Sequence, residues 1–299
     1  MDERGADGEL LMSRTVLVTG ATGRVGGAVV DALVGGTGED AADVQVRAAV
    51  RDPEYASLPE GVDTVAFDFA RPETWGPALD GVDALFLMRP PSTGADEVVG
   101  FAEAADRVGV DRIVYLSVLG ADRNRLIPHY RVERRLESLG ADHTFLRAGQ
   151  FMQNLADVHA PEIRERDELF VPAGDGRMSY VDARDVGAVG AAALVVDSPV
   201  PAAYEVTGAA ALDHHEVART LTDVLGRRIE YADPSPVAFV RRMRDRGLAW
   251  GMVGVMLTLY TSARFGLGAR TGDGVERALG RPPRTLREFA EDHRDAWER

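Results

Sequence analysis

A short apolar stretch that runs directly into a glycine-rich turn constrains the fold of this chain more than any other feature. Residues 15–18 are Thr-Val-Leu-Val, and their β-branched and aliphatic side chains predict a buried β-strand. Beyond the turn, Val25, Val29 and Leu33 recur every fourth residue, which is the spacing of one face of an α-helix. A buried strand, a tight turn and a helix in immediate succession predict the start of an α/β sheet.

The turn itself has the spacing G-x-x-G-x-x-G, with glycines at positions 20, 23 and 26. Gly20 permits the tight turn, Gly23 lets the backbone approach a phosphate without a Cβ in the way, and Gly26 lets the helix pack closely on the strand. The helix N-terminus then directs its N–H groups at an anion. The alternative is a flexible glycine-rich turn without a ligand. We expect this turn to form part of a cofactor-binding site, with Gly20, Thr22, Gly23, Arg24, Val25 and Gly26 as its residues.

Strands and helices alternate along the first half of the chain. Further strands are predicted at residues 44–50, 64–67, 84–88, 112–116 and 144–147, with helices near Pro72 and at 95–108 and 128–139. Strands that alternate with helices of about 10–15 residues are typical of a parallel, doubly wound, Rossmann-like sheet. We therefore predict an α/β fold with a dinucleotide-binding domain over residues 15–150.

The regular alternation of strands and helices ends after Arg147. Residues 170–176 have the composition of a turn, and a strand is predicted at 204–207. Two helices are predicted from their start signals, one beginning at the capping pair Asp213 and Glu216 and one at Ser235-Pro236. Further helices are predicted at 182–196, 250–260, 274–279 and 286–297. We predict that residues 151–299 form mostly a smaller substrate-binding lobe, with some segments returning to the first domain. Residues 1–14 are expected to be a loose leader, and Met12 is an alternative start.

Composition excludes several classes of function. The net charge of −14 and pI of about 4.9 argue against nucleic acid as a partner, because binding it requires a basic face. The arginines within 241–246 are interpreted as a solvated helix face. No apolar run approaches the roughly 20 residues that span a bilayer, and the acidic N-terminus is not a secretory signal. The absence of a signal sequence, more than the absence of cysteine, leads us to expect a cytoplasmic protein. With no cysteine and no metal-ligand spacing, we expect neither a metal site nor disulfides.

The chain contains no lysine, since all 34 basic residues are arginines. This excludes Schiff-base chemistry, a P-loop and the Tyr-x-x-x-Lys pair of ordinary short-chain reductases.

Residues at strand ends indicate which dinucleotide would bind. In a doubly wound sheet, ligands contact the carboxyl ends of the strands, and Arg51 follows the second strand where an NAD-binding enzyme usually has an acid. An arginine there accommodates a 2′-phosphate, so we predict NADP(H), with Arg24 able to close on the same phosphate. Asp68 is placed to reach the adenine, or else caps a helix, and Met88 and Arg89 to flank the nicotinamide ribose. Solvated arginines are the alternative for both Arg24 and Arg51.

Four further motifs, together with the glycine turn, resemble the NmrA-like group of atypical short-chain dehydrogenase/reductases over nearly the whole chain. They are PHYRVE at 128–133, TFLRAGQFMQN at 144–154, PAGDG at 172–176 and YVDARD at 180–185. The resemblance implies a dinucleotide domain with a C-terminal substrate lobe, and places Gly149, Gln150 and Phe151 beside the nicotinamide. Members of the group include quinone and azo-dye reductases, tailoring ketoreductases and redox-sensing regulators without turnover.

The resemblance leaves the catalytic acid open. Ser117 matches the serine of ordinary short-chain reductases, while His129 falls where their lysine would be and Arg125 where their tyrosine would be. We predict Ser117 and His129 as catalytic residues, His129 either binding the ribose or shuttling a proton. Tyr130 is about 100° away from His129 on a helix, so it is interpreted as packing.

Aromatic and thioether side chains in the second half predict a pocket for a flat or quinonoid ligand, although each residue alone is also typical of a core. The expected pocket residues are Leu119, Met152, Met178, Trp250 and Tyr260. The prediction is therefore an NADPH-dependent reductase of a carbonyl or quinone in an aromatic or polyketide-like small molecule, with a homodimer left open. The alternative is a non-catalytic regulatory protein that senses NADP(H).

Overall fold

A seven-stranded parallel sheet forms the centre of the molecule, in the order β10-β6-β5-β4-β1-β2-β3. The computed structural model describes residues 14–36, 44–196 and 199–299. The strands of this sheet are β1 (Arg14–Thr19), β2 (Val44–Val50), β3 (Asp63–Ala66), β4 (Ala84–Met88), β5 (Arg112–Val118), β6 (Asp142–Ala148) and β10 (Ala203–Val206). The predicted parallel, Rossmann-like class is confirmed.

Helices cover both faces of the sheet because its buried strands are apolar on both sides. In β1, Val16 and Val18 pack on one face of the sheet and Leu17 packs on the other, and the two faces together form the core of the main domain. The helices of the main domain are α1 (Arg24–Val34), α2 (Trp75–Leu79), α3 (Ala95–Arg107), α4 (Pro128–Leu136) and α7 (Ala183–Val195). Helices α1 and α7 share a face and approach closely, since a Cβ at Gly187 would overlap Ala28.

A second core cluster lies in the C-terminal half of the chain, where Phe239, Phe289 and Trp297 are fully buried. Its short strands are β7 (Gln150–Phe151), β8 (Glu168–Leu169), β9 (Met178–Val181), β11 (Ala211–Leu212) and β12 (Glu230–Tyr231). The remaining helices are α5 (Gln153–Ala156), α6 (Ala160–Arg166), α8 (His214–Leu225), α9 (Pro236–Asp245), α10 (Trp250–Arg264), α11 (Gly274–Leu279) and α12 (Leu286–Asp292). Strand β10 belongs to the central sheet, beside β6. The domain division at residue 150 stays a prediction.

The elements differ from their predicted bounds in a few places. Strand β5 continues through Val118, so Ser117 lies inside the strand instead of after it. The helix predicted near Pro72 is a 3₁₀ turn, Pro72–Thr74, followed by the five residues of α2. The last predicted helix divides into α12 and a 3₁₀ turn at Arg294–Trp297. The sequence also predicts a loop at Gly35, Gly36 and Gly38. Gly38 lies outside the described residues, as does the predicted leader apart from Arg14.

Candidate functional site

The glycine turn closes tightly at the carboxyl end of β1. Gly20 has a φ of +65°, which favours glycine, and its carbonyl accepts a 2.8 Å hydrogen bond from the Gly23 N–H. A Cβ at Gly26 would overlap the Gly20 carbonyl. Gly23 occupies the N-cap position of α1, so no side chain covers the first N–H groups of the helix. The turn therefore has the geometry of an anion site at a helix N-terminus.

The end of β4 is fixed against this turn. The Thr19 hydroxyl donates to the Phe86 carbonyl at 3.0 Å and accepts from the Met88 N–H at 2.9 Å. A Cβ at Gly20 would overlap Met88 Sδ, so the thioether lies directly against the turn. The structure thus places Met88 beside the carboxyl end of β1, which is where a doubly wound sheet binds its ligand.

The two arginines considered for a 2′-phosphate lie in different environments. Arg51 follows β2 and is exposed, and within the described residues no side chain or carbonyl bonds its guanidinium. Arg24 donates to Asn154 Oδ1 at 3.3 Å and forms an ion pair with Asp157. Arg24 is therefore engaged with the segment after β7, whereas Arg51 is open to an anion.

Asp68 has a local partner in the structure. Its Oδ1 accepts a 2.9 Å hydrogen bond from the Ala70 N–H, and its backbone carbonyl accepts from Thr74 and Trp75. Arg71, not Asp68, is the N-cap of the 3₁₀ turn that follows. The carboxylate thus closes a turn before that element, and its contact with adenine stays a prediction.

Arg89 projects from the end of β4 into a partly buried position. It donates to the Thr93 carbonyl at 2.7 Å through Nη1. Within the part of the chain that the structure describes, its buried Nε has no hydrogen-bond partner. A buried donor without a partner is costly, so this atom is suited to an acceptor from a ligand.

His129 is hydrogen-bonded to the sheet instead of standing open to solvent. Its Nδ1 and the Tyr115 hydroxyl are 2.8 Å apart. Burial, with a smaller contribution from the positive charge of Arg89, lowers the pKa of His129 to about 4. Burial also raises the pKa of the Tyr115 hydroxyl. At neutral pH the imidazole is uncharged, which favours hydrogen bonding over proton shuttling as its role.

Ser117 belongs to a buried charged network. Its hydroxyl donates to Glu133 Oε1 at 2.6 Å, and Glu133 is fully buried on α4. Arg147, near the end of β6, donates to both oxygens of this carboxylate, from Nε at 3.1 Å and from Nη2 at 2.7 Å. Arg147 also lies 3.7 Å from Asp122 in the loop after β5. The network joins β5, β6 and α4 near the carboxyl ends of the strands, the end of the sheet at which the glycine turn also lies.

Sequence reasoning missed the parts played by Glu133 and Arg147. Their signal is a carboxylate between Val132 and Leu136 on the buried face of α4, together with an arginine within a strand. Because a buried carboxylate requires a cationic or hydrogen-bonding partner, that position predicts a partner on the neighbouring sheet. Tyr130 is only partly buried, with the Arg134 guanidinium 5.5 Å from its ring centroid.

The segment from Gly149 to Gln153 is held firmly on both sides. The Gly149 N–H donates to the Val206 carbonyl at 3.0 Å, and a Cβ at Gly149 would overlap the Ser179 carbonyl. Strand β7 pairs with β9, which leaves the side chains of Gln150 and Phe151 half-buried. Gln153 then donates to Asp182 at 2.9 Å and accepts from the Ala183 N–H at 3.0 Å. Because these bonds fix its backbone, the segment is suited to positioning a planar group.

The five predicted pocket residues do not form one surface. Met152, Met178 and Tyr260 are buried in the second core cluster, and Tyr260 is hydrogen-bonded to the buried His159. Leu119 is half-buried just after β5, while Trp250 is 68% exposed. Methionine and aromatic side chains fill cores as readily as they line pockets, which is why composition did not separate the two environments.

The described ranges, 14–36, 44–196 and 199–299, lack two further features. They contain no group of three or more histidines and carboxylates able to hold a metal ion. The same residues include no helix with the length and apolar character needed to cross a membrane.

A Rossmann-like sheet with a glycine turn at the carboxyl end of its first strand defines a dinucleotide-binding class of protein. Comparison with known proteins identifies the family. The model of the NmrA-like family matches residues 12–290, and the chain belongs to this family. It is 33% identical to an NAD(P)H azoreductase of Xenophilus azovorans, over 94% of this chain and 99% of that protein.

Solved structures agree with this assignment. An NADPH-dependent quinone oxidoreductase of Escherichia coli, solved with NADPH, superposes with a TM-score of 0.79 at 25% identity, over 93% of this chain and 99% of that one. A triphenylmethane reductase of Citrobacter sp., in complex with NADP(H), gives a TM-score of 0.81 at 22% identity with the same coverage of both chains. The second likeness establishes the fold alone.

Proposed function

We propose that this chain reduces a quinone, or a carbonyl conjugated to an aromatic ring, in a small molecule, with NADPH as the hydride donor. The coarser assignment, an NAD(P)H-dependent oxidoreductase, rests on membership of the NmrA-like family and on its reductase relatives. The observation that supports this choice of substrate is that the polar side chains near the carboxyl ends of the strands are already hydrogen-bonded within the protein. The Ser117 hydroxyl is engaged by Glu133, and His129 is neutral and bonded to Tyr115.

Ser117 and His129 are therefore weak proton donors. The molecule that accepts the hydride must be one that needs little acid catalysis. A positioned general acid typically contributes about 10²–10⁴-fold to a rate. An isolated ketone needs that contribution, because its developing oxyanion is localised. In a quinone the charge spreads over the conjugated ring, so water can deliver the proton. An acceptor of this kind needs orientation more than acid catalysis, and orientation alone supplies several kcal/mol.

The residues present fit NADP(H). The glycine turn of residues 20–26 would hold the pyrophosphate at the N-terminus of α1, where a Cβ at Gly23 would crowd the space, 3.1 Å from the Gly20 carbonyl. Arg51 would hold the 2′-phosphate, and Arg89 Nε would gain the partner it lacks within the described residues from a ribose hydroxyl. Asp68 would lie toward the adenine.

The same cofactor would supply a hydride at its nicotinamide, beside Gly149, Gln150 and Phe151. The hydrogen bonds of this segment hold the half-buried side chains of Gln150 and Phe151 each in a fixed orientation. Phe151 would exclude water from one side of the ring, and Gln150 would offer an amide for hydrogen bonding. The acceptor then meets a prearranged surface, consistent with catalysis by positioning.

A matched pair of acceptors tests the proposal. We expect NADPH oxidation, followed at 340 nm, to be at least about 10²-fold faster in kcat/KM with 1,4-naphthoquinone than with 2-tetralone, which has the same carbon skeleton but a single carbonyl that is not conjugated with the aromatic ring. Equal rates for the two would contradict the argument from weak acids. Tight NADPH binding by calorimetry, with no oxidation by any acceptor, would instead support the non-catalytic sensing alternative.

A further inference from the structure

An open groove of about 430 Å³ lies between α9 and α10 in the C-terminal half of the chain. Its apolar lining comes from Val237, Val240 and Leu257, with Trp250 at the start of α10. Val237 is 72% exposed and Trp250 is 68% exposed. The volume is within the range of small-molecule sites.

The sequence of α9 and α10 explains why apolar groups remain at the surface. Helix α9 buries Phe239 and Met243 against the second core cluster, and α10 buries Val253, Met256 and Tyr260. These residues satisfy the core-facing sides of both helices. Trp250 and Val237 are therefore not needed for core packing, and both line the groove.

Two arginines lie beside the apolar lining of this groove. Arg244 donates to the Leu248 carbonyl, and its guanidinium lies 4.6 Å from the centroid of the Trp250 ring. Arg241 is exposed, and no hydrogen bond or ion pair engages it in the described structure. Asp245 is the single acid in the lining, so the groove carries a local positive charge on a chain whose net charge is −14.

We infer that the groove binds an anionic aromatic molecule, with its ring against Trp250 and its carboxylate or sulfonate beside Arg241. Trp250 offers an aromatic face that is already fixed by a cation–π contact, and Arg241 offers donors without a partner in the described structure. An anionic membrane surface and a second copy of this chain fit less well, because each needs a surface much larger than this groove, about 800 Å² per partner for a stable contact between proteins. The inference is independent of the proposed reductase activity.

Two dyes that differ by one charged group test this inference. The probes are 8-anilino-1-naphthalenesulfonate and neutral N-phenyl-1-naphthylamine, titrated against the folded chain with fluorescence detection. We expect Arg241→Gln to weaken the sulfonate dye about two- to fivefold, the range of an exposed ion pair, and to leave the neutral dye unchanged. Trp250→Ala should weaken both dyes. Arg219→Gln, at an exposed position on α8, is the matched control and should change neither.

Three outcomes would overturn the inference. Arg241→Gln could leave the sulfonate dye unaffected, or weaken both dyes equally, and in either case the charge would have no part in binding. Light scattering could show a dimer that the dye dissociates, which would make the groove a contact between two copies of the chain. Melting temperatures, measured for every variant, separate a local change from loss of the fold.

Discussion

The Ser117 hydroxyl donates a 2.6 Å hydrogen bond to the carboxylate of Glu133, which is fully buried beneath the candidate site. The bond directs the serine proton toward α4, so the hydroxyl can donate to a substrate only by breaking it. Arg147 balances the carboxylate from β6. Ser117 is thus tied to a network that joins the ends of β5 and β6 to α4, and this network precedes the segment that begins at Gly149.

The first prediction concerns the stability of this network. Glu133→Gln should lower the free energy of unfolding by about 3–5 kcal/mol, because it leaves the charge of Arg147 without its buried partner. Glu137→Gln is the matched control one turn further along the chain, where the ion pair with Arg134 is more exposed, and should cost about 1 kcal/mol or less. Urea denaturation measures both. Equal losses would mean that Glu133 is not the centre of the network.

The second prediction concerns cofactor choice. Arg51→Ala should weaken NADPH binding roughly 10- to 100-fold and leave NADH little changed, because a charge-assisted hydrogen bond to the 2′-phosphate contributes about 1.5–3 kcal/mol. Arg24→Ala is the control, since Asn154 and Asp157 already engage that guanidinium. Calorimetric titration with both nucleotides distinguishes the two arginines. A parallel loss for NADPH and NADH in the Arg51 variant would assign it a structural role.

The third prediction concerns the glycine turn. Gly23→Val should abolish NADPH binding while the chain still folds, because a branched side chain would occupy the space of the pyrophosphate. Gly76→Val in α2 is the control, since a Cβ there meets no atom within 4 Å. Calorimetry and circular dichroism together give the result. Unchanged NADPH affinity in a folded Gly23→Val protein would move the nucleotide site elsewhere.

The fourth prediction concerns how the stability of the folded chain depends on pH. Burial lowers the pKa values of His129 and His214 to about 4 and that of His159 to about 3, below the value near 6.5 of an unfolded histidine. As pH falls through 6.5 the unfolded chain takes up protons that the folded chain does not, so stability falls until the pH reaches the folded pKa of each histidine, about 4 for two of them and about 3 for His159. The slope is up to about 1.4 kcal/mol per pH unit for each histidine. Urea denaturation between pH 7.5 and 4.5 should show this loss, and a flat profile would contradict it.

Local patterns in the sequence predict the elements well and the network poorly. The pair Asp213 and Glu216 forms a capping box at the start of α8, since both partners lie within one helical turn. The bond between Ser117 and Glu133 depends on how α4 packs against β5, and no short-range pattern carries that information. Tyr260 is buried and Trp250 is exposed, although both are aromatic residues of one helix. Helix α10 is apolar on both sides, so periodicity cannot separate its core face from its open face.

The last prediction concerns how a reductase works without lysine. Positioning by the Gly149–Met152 segment should account for most of the rate, so Ser117→Ala and His129→Ala should each lower kcat with a quinone by about tenfold or less. Tyr130→Phe should have little effect, because its ring is only partly buried beside Arg134. Both losses lie below the 10²–10⁴-fold that a general acid typically contributes. Steady-state rates at saturating NADPH, with NADPH affinity measured in parallel, provide the comparison. A loss of about 10³-fold or more in kcat, confined to Tyr130→Phe and with NADPH binding intact, would show that this tyrosine donates the proton. The interpretation of Tyr130 as a packing residue of α4 would then be wrong.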